Sequence, residues 1–432
     1  MKPITVAIAG YGQRGSLYAS YALRMPDVVK VVAAADVRPE RLAKLASSNG
    51  LEDSALYGSV EDMLAQPKLA DLLIISTQDK QHHAHAMLGL DKGYAILLEK
   101  PISPSLQECL EIRDAAVRAN TPVAVTHVMR YSPFFRQIKN WVASGRIGQV
   151  TAIHAIECVG YWHFAHSFVR GNWRRADESS PVILAKSCHD MDLLHWLAGA
   201  RCQKLSSFGG LSHFKRENAP PSSTERCLDG CGVKKTCPHN AERFYLDEEV
   251  RRIHGGWPQS IITNDHTPEG MERALREGPY GRCVYRCDND VADHQTVTML
   301  FENGVTANFT LSAFTHDNTR EIKIMGTRGE ISGKGSTRLL TLTEFGEEPV
   351  TVDLSASVKE LSAGHGGGDI VMLREVADMV RTGTAPSDSI SDIAGSVHSH
   401  VMALAAEHSR VNGGMAVDLA AFEAMHGGAR NG

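Results

Sequence analysis

Three groups of residues in this chain have types and spacing that could do chemistry. The first is Gly10-Tyr11-Gly12-Gln13-Arg14-Gly15, which follows the apolar run Ile4 to Ala9 and precedes an Ala/Leu/Tyr-rich helical stretch ending at Met25. In strand–turn–helix order these glycines have separate tasks. Gly10 makes the tight turn, Gly12 lets backbone approach a pyrophosphate, and Gly15 lets the helix pack closely on the strand. The helix start then offers unpaired N–H groups to phosphate. A second apolar run, Val28 to Ala35, ends in Asp36. A carboxylate there can accept from the adenosine ribose hydroxyls and repels a ribose phosphate, which favours NAD over NADP. Arg38 is a nearby cation that would suit NADP.

The second group sits where further strand-like runs end. Ser76, Thr77, Gln78 and His82, then Glu99 and Lys100, then His127 follow the runs Asp71 to Ser76, Tyr94 to Leu98 and Val123 to Thr126. Ligands of doubly wound sheets bind beyond the carboxyl ends of the strands, so these residues are candidates for the nicotinamide side of a dinucleotide site. The third group is Cys227, Cys231, Cys237, Cys283 and Cys287, five of nine cysteines, in a stretch of about 213–290 that loses regular periodicity. Thiolates so spaced could form a closed tetrahedral site that staples a loop with few apolar residues. Zinc in a structural role is the first expectation. Cys237-Pro238 also suggests iron–sulfur ligation, and His239 could replace one thiolate.

The elements that must position these groups follow from pattern. Strand-like runs alternate with helical stretches at Gln81 to Asp91 and Ser105 to Ala119, which predicts a doubly wound parallel sheet in residues 1–127. Residues 128–432 then form a second domain. Apolar alternation from Thr296 to Phe314 reads as two strands joined at Asn303-Gly304. Two helical patterns, Ile370 to Arg381 and Ile390 to Val411, come late, after His365-Gly366-Gly367-Gly368-Asp369. Asp369 can cap the first of them, and His365 can reach substrate or cover the domain junction.

Composition narrows the partners. With 43% hydrophobic and 22% charged residues the chain is ordinary globular protein, and a net charge of -5 gives no electrostatic case for nucleic acid or an anionic membrane. No apolar run is long enough to span a bilayer, and the N-terminus lacks the order of a signal peptide. Nine cysteines without a secretory signal point to a reducing compartment, the cytoplasm. A small molecule is the expected partner.

At Leu97-Leu98-Glu99-Lys100-Pro101-Ile102, after a dinucleotide-binding start, the sequence resembles the Gfo/Idh/MocA oxidoreductases. The resemblance continues through Arg130-Tyr131, the Gly145-Arg146-Ile147-Gly148 turn, His189 to Trp196, Phe301 to Val305 and Gly326 to Glu330. It implies a second domain of α+β type with an open-faced, mostly antiparallel sheet. It also implies that Lys100 touches both the cofactor ribose and the reacting hydroxyl. An ammonium there can lower a hydroxyl pKa or relay its proton while hydride leaves the carbon.

The family's second catalytic element is a His preceded four residues earlier by an Asp. The His here is His189, but the Asp position holds Ala185, with Lys186 beside it. Either Lys186 contributes a cation, or Lys100 and His189 share the acid–base work. Arg130 and Tyr131 at the domain junction, Trp162, His163 and Trp173 as aromatic platforms, and His365 are candidate substrate contacts. The open sheet must be covered, which predicts a homodimer or homotetramer.

The leading expectation is an NAD-dependent oxidoreductase acting on a secondary alcohol of a sugar, cyclic polyol or sugar derivative. The alternatives are an NAD-dependent glycoside hydrolase working by transient oxidation, elimination, water addition and re-reduction, and a non-enzymatic sensor.

Overall fold

The computed structural model describes residues 2–253, 256–361 and 365–427. Six strands, β1 (Ile4–Ala9), β2 (Val29–Ala35), β3 (Leu56–Tyr57), β4 (Leu72–Ile75), β5 (Ala95–Leu98) and β6 (Val123–Val125), form a parallel sheet in the order β3-β2-β1-β4-β5-β6. Their residues are almost continuously apolar because helices cover both faces of the sheet. Ile8, Leu72, Ile74 and Leu97 are buried toward one side, and Ala7, Leu73, Ile75 and Leu98 toward the other. The chain order reverses between β1 and β4, which opens the crevice where such sheets bind ligands.

The second sheet is formed by β7 (Val150–Val159), β8 (Cys202–Gly210), β9 (His294–Phe301), β10 (Thr306–Ser312), β11 (Asn318–Gly326), β12 (Gly329–Lys334), β13 (Leu339–Glu344), β14 (Val350–Asp353) and β15 (Val417–Asp418). Its order is β14-β13-β12-β11-β7-β10-β9-β8-β15. Every pairing is antiparallel except that of β7 with β10. The predicted hairpin is β9 and β10, and Gly304 in its turn has φ +84°. Buried and exposed residues alternate strictly along β9, so one face packs on helices and the other is open.

Two helices tie the sheets together. The helix Ile393–Val411 packs against Cys188–Ala198, against β8 and against the first-domain helix Leu106–Ala119. The helix Gly368–Thr382 buries Met372, Leu373 and Val376 in the same apolar cluster as β1 and the helix Gln13–Arg24. A segment late in sequence thus completes one face of the first domain's core.

Between β8 and β9 no strand among the described residues joins either sheet. Short helices, Ala241–Leu246, Glu248–Ile253 and Pro268–Glu277, surround a small core of Ala241, Tyr245 and Leu275. The segment is anchored by Arg170, whose buried guanidinium donates from Nε to the Arg282 carbonyl and from Nη2 to the His239 carbonyl, both at 2.8 Å.

Candidate active site at the domain junction

The glycine turn is built as its spacing implies. Gly10 has φ +88°, and a Cβ on it would come within 2.8 Å of the Ser76 carbonyl. A Cβ on Gly15 would lie 2.1 Å from the Gly10 carbonyl oxygen, so helix and turn touch there. Gly12 meets nothing nearer than Arg41 at 3.7 Å, and it starts the helix without a side-chain cap. Open space beside uncapped helix N–H groups fits a pyrophosphate. Asp36, buried at the end of β2, accepts from the Tyr11 amide at 2.7 Å and the Arg38 amide at 2.9 Å. These bonds hold its carboxylate at the edge of the turn, and its remaining lone pairs suit ribose hydroxyls. The cation beside Asp36 is Arg41, at 3.4 Å, while the Arg38 side chain is exposed. Arg41, which the sequence reading did not single out, is legible only once the helix Pro39–Asn49 is placed.

Several of the expected cofactor residues are also bonded within the protein. Ser76 Oγ donates to the Gly10 carbonyl at 2.7 Å, and Thr77 Oγ1 meets His85 Nδ1 at 3.0 Å. Gln78 caps the short helical turn that leads into the helix starting at His82. His82 is buried with Nδ1 on the Pro101 carbonyl at 2.8 Å, so it props the Lys100-Pro101 corner. Arg14 is engaged by three side chains of the protein. It donates to Glu99 at 2.5 Å, to the Tyr18 hydroxyl at 2.5 Å and to Asp369 at 2.7 Å, and these partners raise its pKa further. Glu99 also accepts from Tyr18 Oη at 2.5 Å and Thr126 Oγ1 at 2.8 Å. Glu99 is therefore an anchor that fixes the backbone of the next residue, Lys100.

Lys100 leaves the end of β5 toward the second domain, and its Nζ donates to the Ala185 carbonyl at 3.1 Å. The position expected to carry an Asp thus meets the lysine through backbone. His189, at the start of the helix Cys188–Ala198, is buried and neutral, its pKa driven well below 6.5 by burial and then by the charge of Lys100. Burial also lowers Lys186, whose Nζ lies 3.2 Å from Glu157 Oε1 on β7. Glu157 Oε2 pairs with Arg320 of β11 at 2.9 Å, and Arg320 forks onto Asp190 at 2.7 and 3.1 Å. Glu157, Arg320 and Asp190 were not singled out in sequence because they lie on separate elements and carry no local signature.

The candidate substrate residues divide. Arg130 is buried in a bidentate pair with Asp192, at 2.6 and 2.7 Å, and Tyr131 is packed in the core with its hydroxyl 3.3 Å from the Ser391 amide. Neither presents a polar group to a substrate. Trp162 and His163 are half-buried and stacked at 5.6 Å, with Phe244 stacked on Trp162 at 5.7 Å and Trp257 edge-on to His163 at 5.1 Å. Burial and then the charges of Lys186 and Lys100 hold His163 neutral, which puts this aromatic group on the lysine side of the junction. Trp173 lies outside it, partly exposed and packed on Phe168 at 6.2 Å. His127 is fully buried between His189, at 5.6 Å, and His400, at 5.8 Å. His365 stands 6.3 Å from His189 with Nδ1 on Asp369 at 2.7 Å. Asp369, expected to cap a helix, instead joins Arg14 to His365. The helix is capped at Gly367 without a side-chain bond.

The metal expectation is corrected by the geometry. Among the described residues, no group of three or more His, Cys, Asp or Glu is placed to hold a metal ion. All nine cysteines are free thiols. Cys227, Cys231, Cys237 and Cys283 line one small cavity beside Arg170 and His239, and Cys287 donates to the Cys283 carbonyl at 3.3 Å. Burial raises the Cys237, Cys283 and Cys287 thiols, which favours their neutral form. The loop is held by Arg170, by its small apolar core and by Arg226, which donates to the Leu275, Glu277 and Gly278 carbonyls.

Comparison with known proteins decides the family. Residues 4–127 match the oxidoreductase family NAD-binding Rossmann fold of GFO_IDH_MocA, and residues 139–415 match that family's C-terminal alpha/beta domain. The chain belongs to the Gfo/Idh/MocA oxidoreductases. It is 24% identical to a putative oxidoreductase, YteT, of Bacillus subtilis, over 73% of this chain and 74% of that protein. It is 28% identical to a 1,5-anhydro-D-fructose reductase of Ensifer adhaerens over 39% of this chain, spanning about half (49%) of the reductase. An oxidoreductase from Agrobacterium radiobacter, solved in complex with NAD+, L-tartaric acid and magnesium, shares the fold with a TM-score of 0.70 at 17% identity, over 97% of this chain and 99% of that one. The Rossmann domain is thus an NAD-binding one and the chain an oxidoreductase. No helix among the described residues is long and apolar enough to cross a membrane.

Proposed function

We propose that this oxidoreductase transfers hydride between NAD and a secondary alcohol of a sugar, cyclic polyol or sugar derivative, in the cytoplasm. The observation that carries the reading is the reach of Lys100 across the junction, with Nζ on the Ala185 carbonyl and its charge acting on His189. When bound, the nicotinamide would supply a two-electron acceptor for hydride. Gly10, Gly12 and Gly15 with the uncapped helix would hold the pyrophosphate, and Asp36 the adenosine ribose. Lys100 orients the reacting hydroxyl and eases removal of its proton, and neutral His189 accepts that proton. Lys186 stays paired with Glu157 and sets the charge behind the site. Trp162 and His163 offer an aromatic face with polar edges to a ring.

Residues 1–127 then serve the cofactor and residues 128–432 the substrate and assembly, with the helix Gly368–Thr382 reaching back to the first domain. The sugar reductase among the relatives favours net redox chemistry, and no feature of the site favours the glycoside-hydrolase alternative.

A screen of polyols and sugars for NADH formation tests the reading. With a substrate in hand, Lys100→Ala and His189→Ala should each lower kcat about a hundredfold or more while folding and NAD binding persist. Near wild-type turnover in both variants would remove the assignment.

A further inference from the structure

Oxidation of an alcohol releases a proton as well as a hydride, and the junction is buried. The histidines around His189 offer two directions for that proton. Toward the interior, His127 is fully buried and is followed by His400, also fully buried. His400 Nε2 accepts from the Ile102 amide at 2.9 Å, so its Nδ1 carries the hydrogen and donates to the Ser396 carbonyl at 2.7 Å. Both nitrogens of His400 are committed to backbone, and that direction is closed.

Outward, His189 faces His365, whose side chain is 44% exposed. His365 is held for transfer. Its Nδ1 lies 2.7 Å from Oδ2 of Asp369, a carboxylate that is itself fully buried and bound to Arg14. Such a partner fixes the ring tautomer with hydrogen on Nδ1 and leaves Nε2 as a proton acceptor. The backbone is fixed as well. His365 sits in the left-handed region at φ +51°, Gly366 and Gly367 follow at +65° and +93°, and a Cβ on Gly368 would lie 2.3 Å from the Val128 carbonyl oxygen. A non-glycine residue in that conformation costs energy and persists where surrounding structure imposes it. Nδ1 of His189 is buried with no hydrogen-bond partner among the described protein groups. Ring centres 6.3 Å apart leave room for one bridging water.

We propose that His365, oriented by Asp369, relays the reaction proton between His189 and solvent. The inference rests on the redox reading above. In the oxidative direction the substrate C–H bond breaks with its electron pair passing to NAD, the O–H bond breaks with its proton passing to His189, and the carbonyl forms. His189 then gives the proton to Nε2 of His365, which returns it to bulk water. The His365–Asp369 pair supplies, from the other end of the chain, a carboxylate-linked partner for His189 where Ala185 supplies none.

The test uses His365→Asn, because Asn accepts the left-handed backbone and can bond Asp369 but cannot carry the proton. The substrate is the cyclic polyol, myo-inositol first, that the wild-type protein oxidises. In weakly buffered solution kcat should fall about tenfold or more, with KM and NAD affinity within about twofold, and added imidazole should restore it in a concentration-dependent way. In cofactor-free protein labelled with 15N in histidine, the ring signals of His189 should move when His365 is replaced. Unchanged kcat in weak buffer, a loss that imidazole does not restore, a loss expressed in KM, or unmoved His189 signals each overturns the relay. Failure of the wild-type protein to oxidise any polyol, sugar or sugar derivative of the screen overturns the redox reading itself, so the two failures are distinguishable.

Discussion

Asp36 shows how one residue's surroundings set a preference that its type alone suggests. Its carboxylate is steered by two backbone amides, and Arg41 at 3.4 Å offsets part of its charge. Asp36→Ala removes the repulsion toward a ribose phosphate and leaves Arg38 and Arg41 unopposed. NAD should bind about tenfold or more weakly, and the NADP-to-NAD affinity ratio should rise, as titration of both cofactors would show. An unchanged ratio would place selectivity elsewhere.

The buried histidines make a second prediction. Burial lowers His127 to about 4 and His166, His398 and His400 to about 3. The unfolded chain, with histidines near 6.5, then binds protons that the folded chain refuses, so their contribution is intact above pH 6.5 and is lost as pH falls toward 4. Asp190, raised by burial to about 6, acts in the opposite sense and is outnumbered. The melting temperature should be flat just above pH 7 and fall steeply below 6.5. A flat profile down to pH 5 would show that these rings are not buried neutral. The geometry of the glycine turn and the place of Asp36 at the end of β2 were legible from a local pattern with a chemical reason, whereas Lys100 and His189 were singled out through the family resemblance. The roles of Arg14, Glu99 and Arg130 were not legible, because their partners Asp369, Thr126 and Asp192 are set by folding rather than spacing.

Elements were read from periodicity, and periodicity sufficed where burial follows one rule. The β4 and β5 runs, the β9–β10 hairpin and the helices Leu106–Ala119 and Ile393–Val411 all fall where alternation or helical spacing puts them. The segment between β8 and β9 obeys no such rule, since its apolar residues are few and its order comes from carbonyls captured by arginines. Thiol spacing there suggested a metal, whereas the structure shows a guanidinium doing the stapling. Arg170→Met should therefore cost more than its volume implies. It leaves the Arg282 and His239 carbonyls buried without a donor, each lost charge-assisted bond being worth about 1.5–3 kcal/mol. The melting temperature should fall, and limited proteolysis should cut first within residues 211–293. Wild-type stability and protection would show that the loop is held by something else.

The molecule as a whole leaves one surface to be explained. A row of side chains crosses the open sheet, from Phe208 of β8 through Thr296 and Thr310 to Ile156 of β7 and Glu321 of β11, in register across five strands. A parallel row runs from Ser206 through Thr298, Asn308 and His154 to Lys323. Thr296 and Thr298 are exposed, and Phe208 is 63% exposed, although the opposite face of β9 is completely buried. Within these two rows threonine and other small polar residues accompany Phe208 and Ile156, and the carboxylate and ammonium charges are confined to Glu321 and Lys323 at the β11 end; sheets of this size are rarely left bare. The same face on a second copy is its complement under two-fold symmetry, since identical threonine-rich rows can pack across the axis with Phe208 at the rim. A stable interface of that kind buries about 1,600 Å² in total, which a nine-stranded face can supply. Wild-type protein at micromolar concentration should therefore run as a dimer or tetramer in size-exclusion chromatography with light scattering. Thr296→Arg places a charge in the middle of the row without touching the monomer's core. It should shift the mass to that of one chain while leaving the circular dichroism spectrum unchanged, and a monomeric wild type or an assembly indifferent to the arginine would rule this face out as the contact.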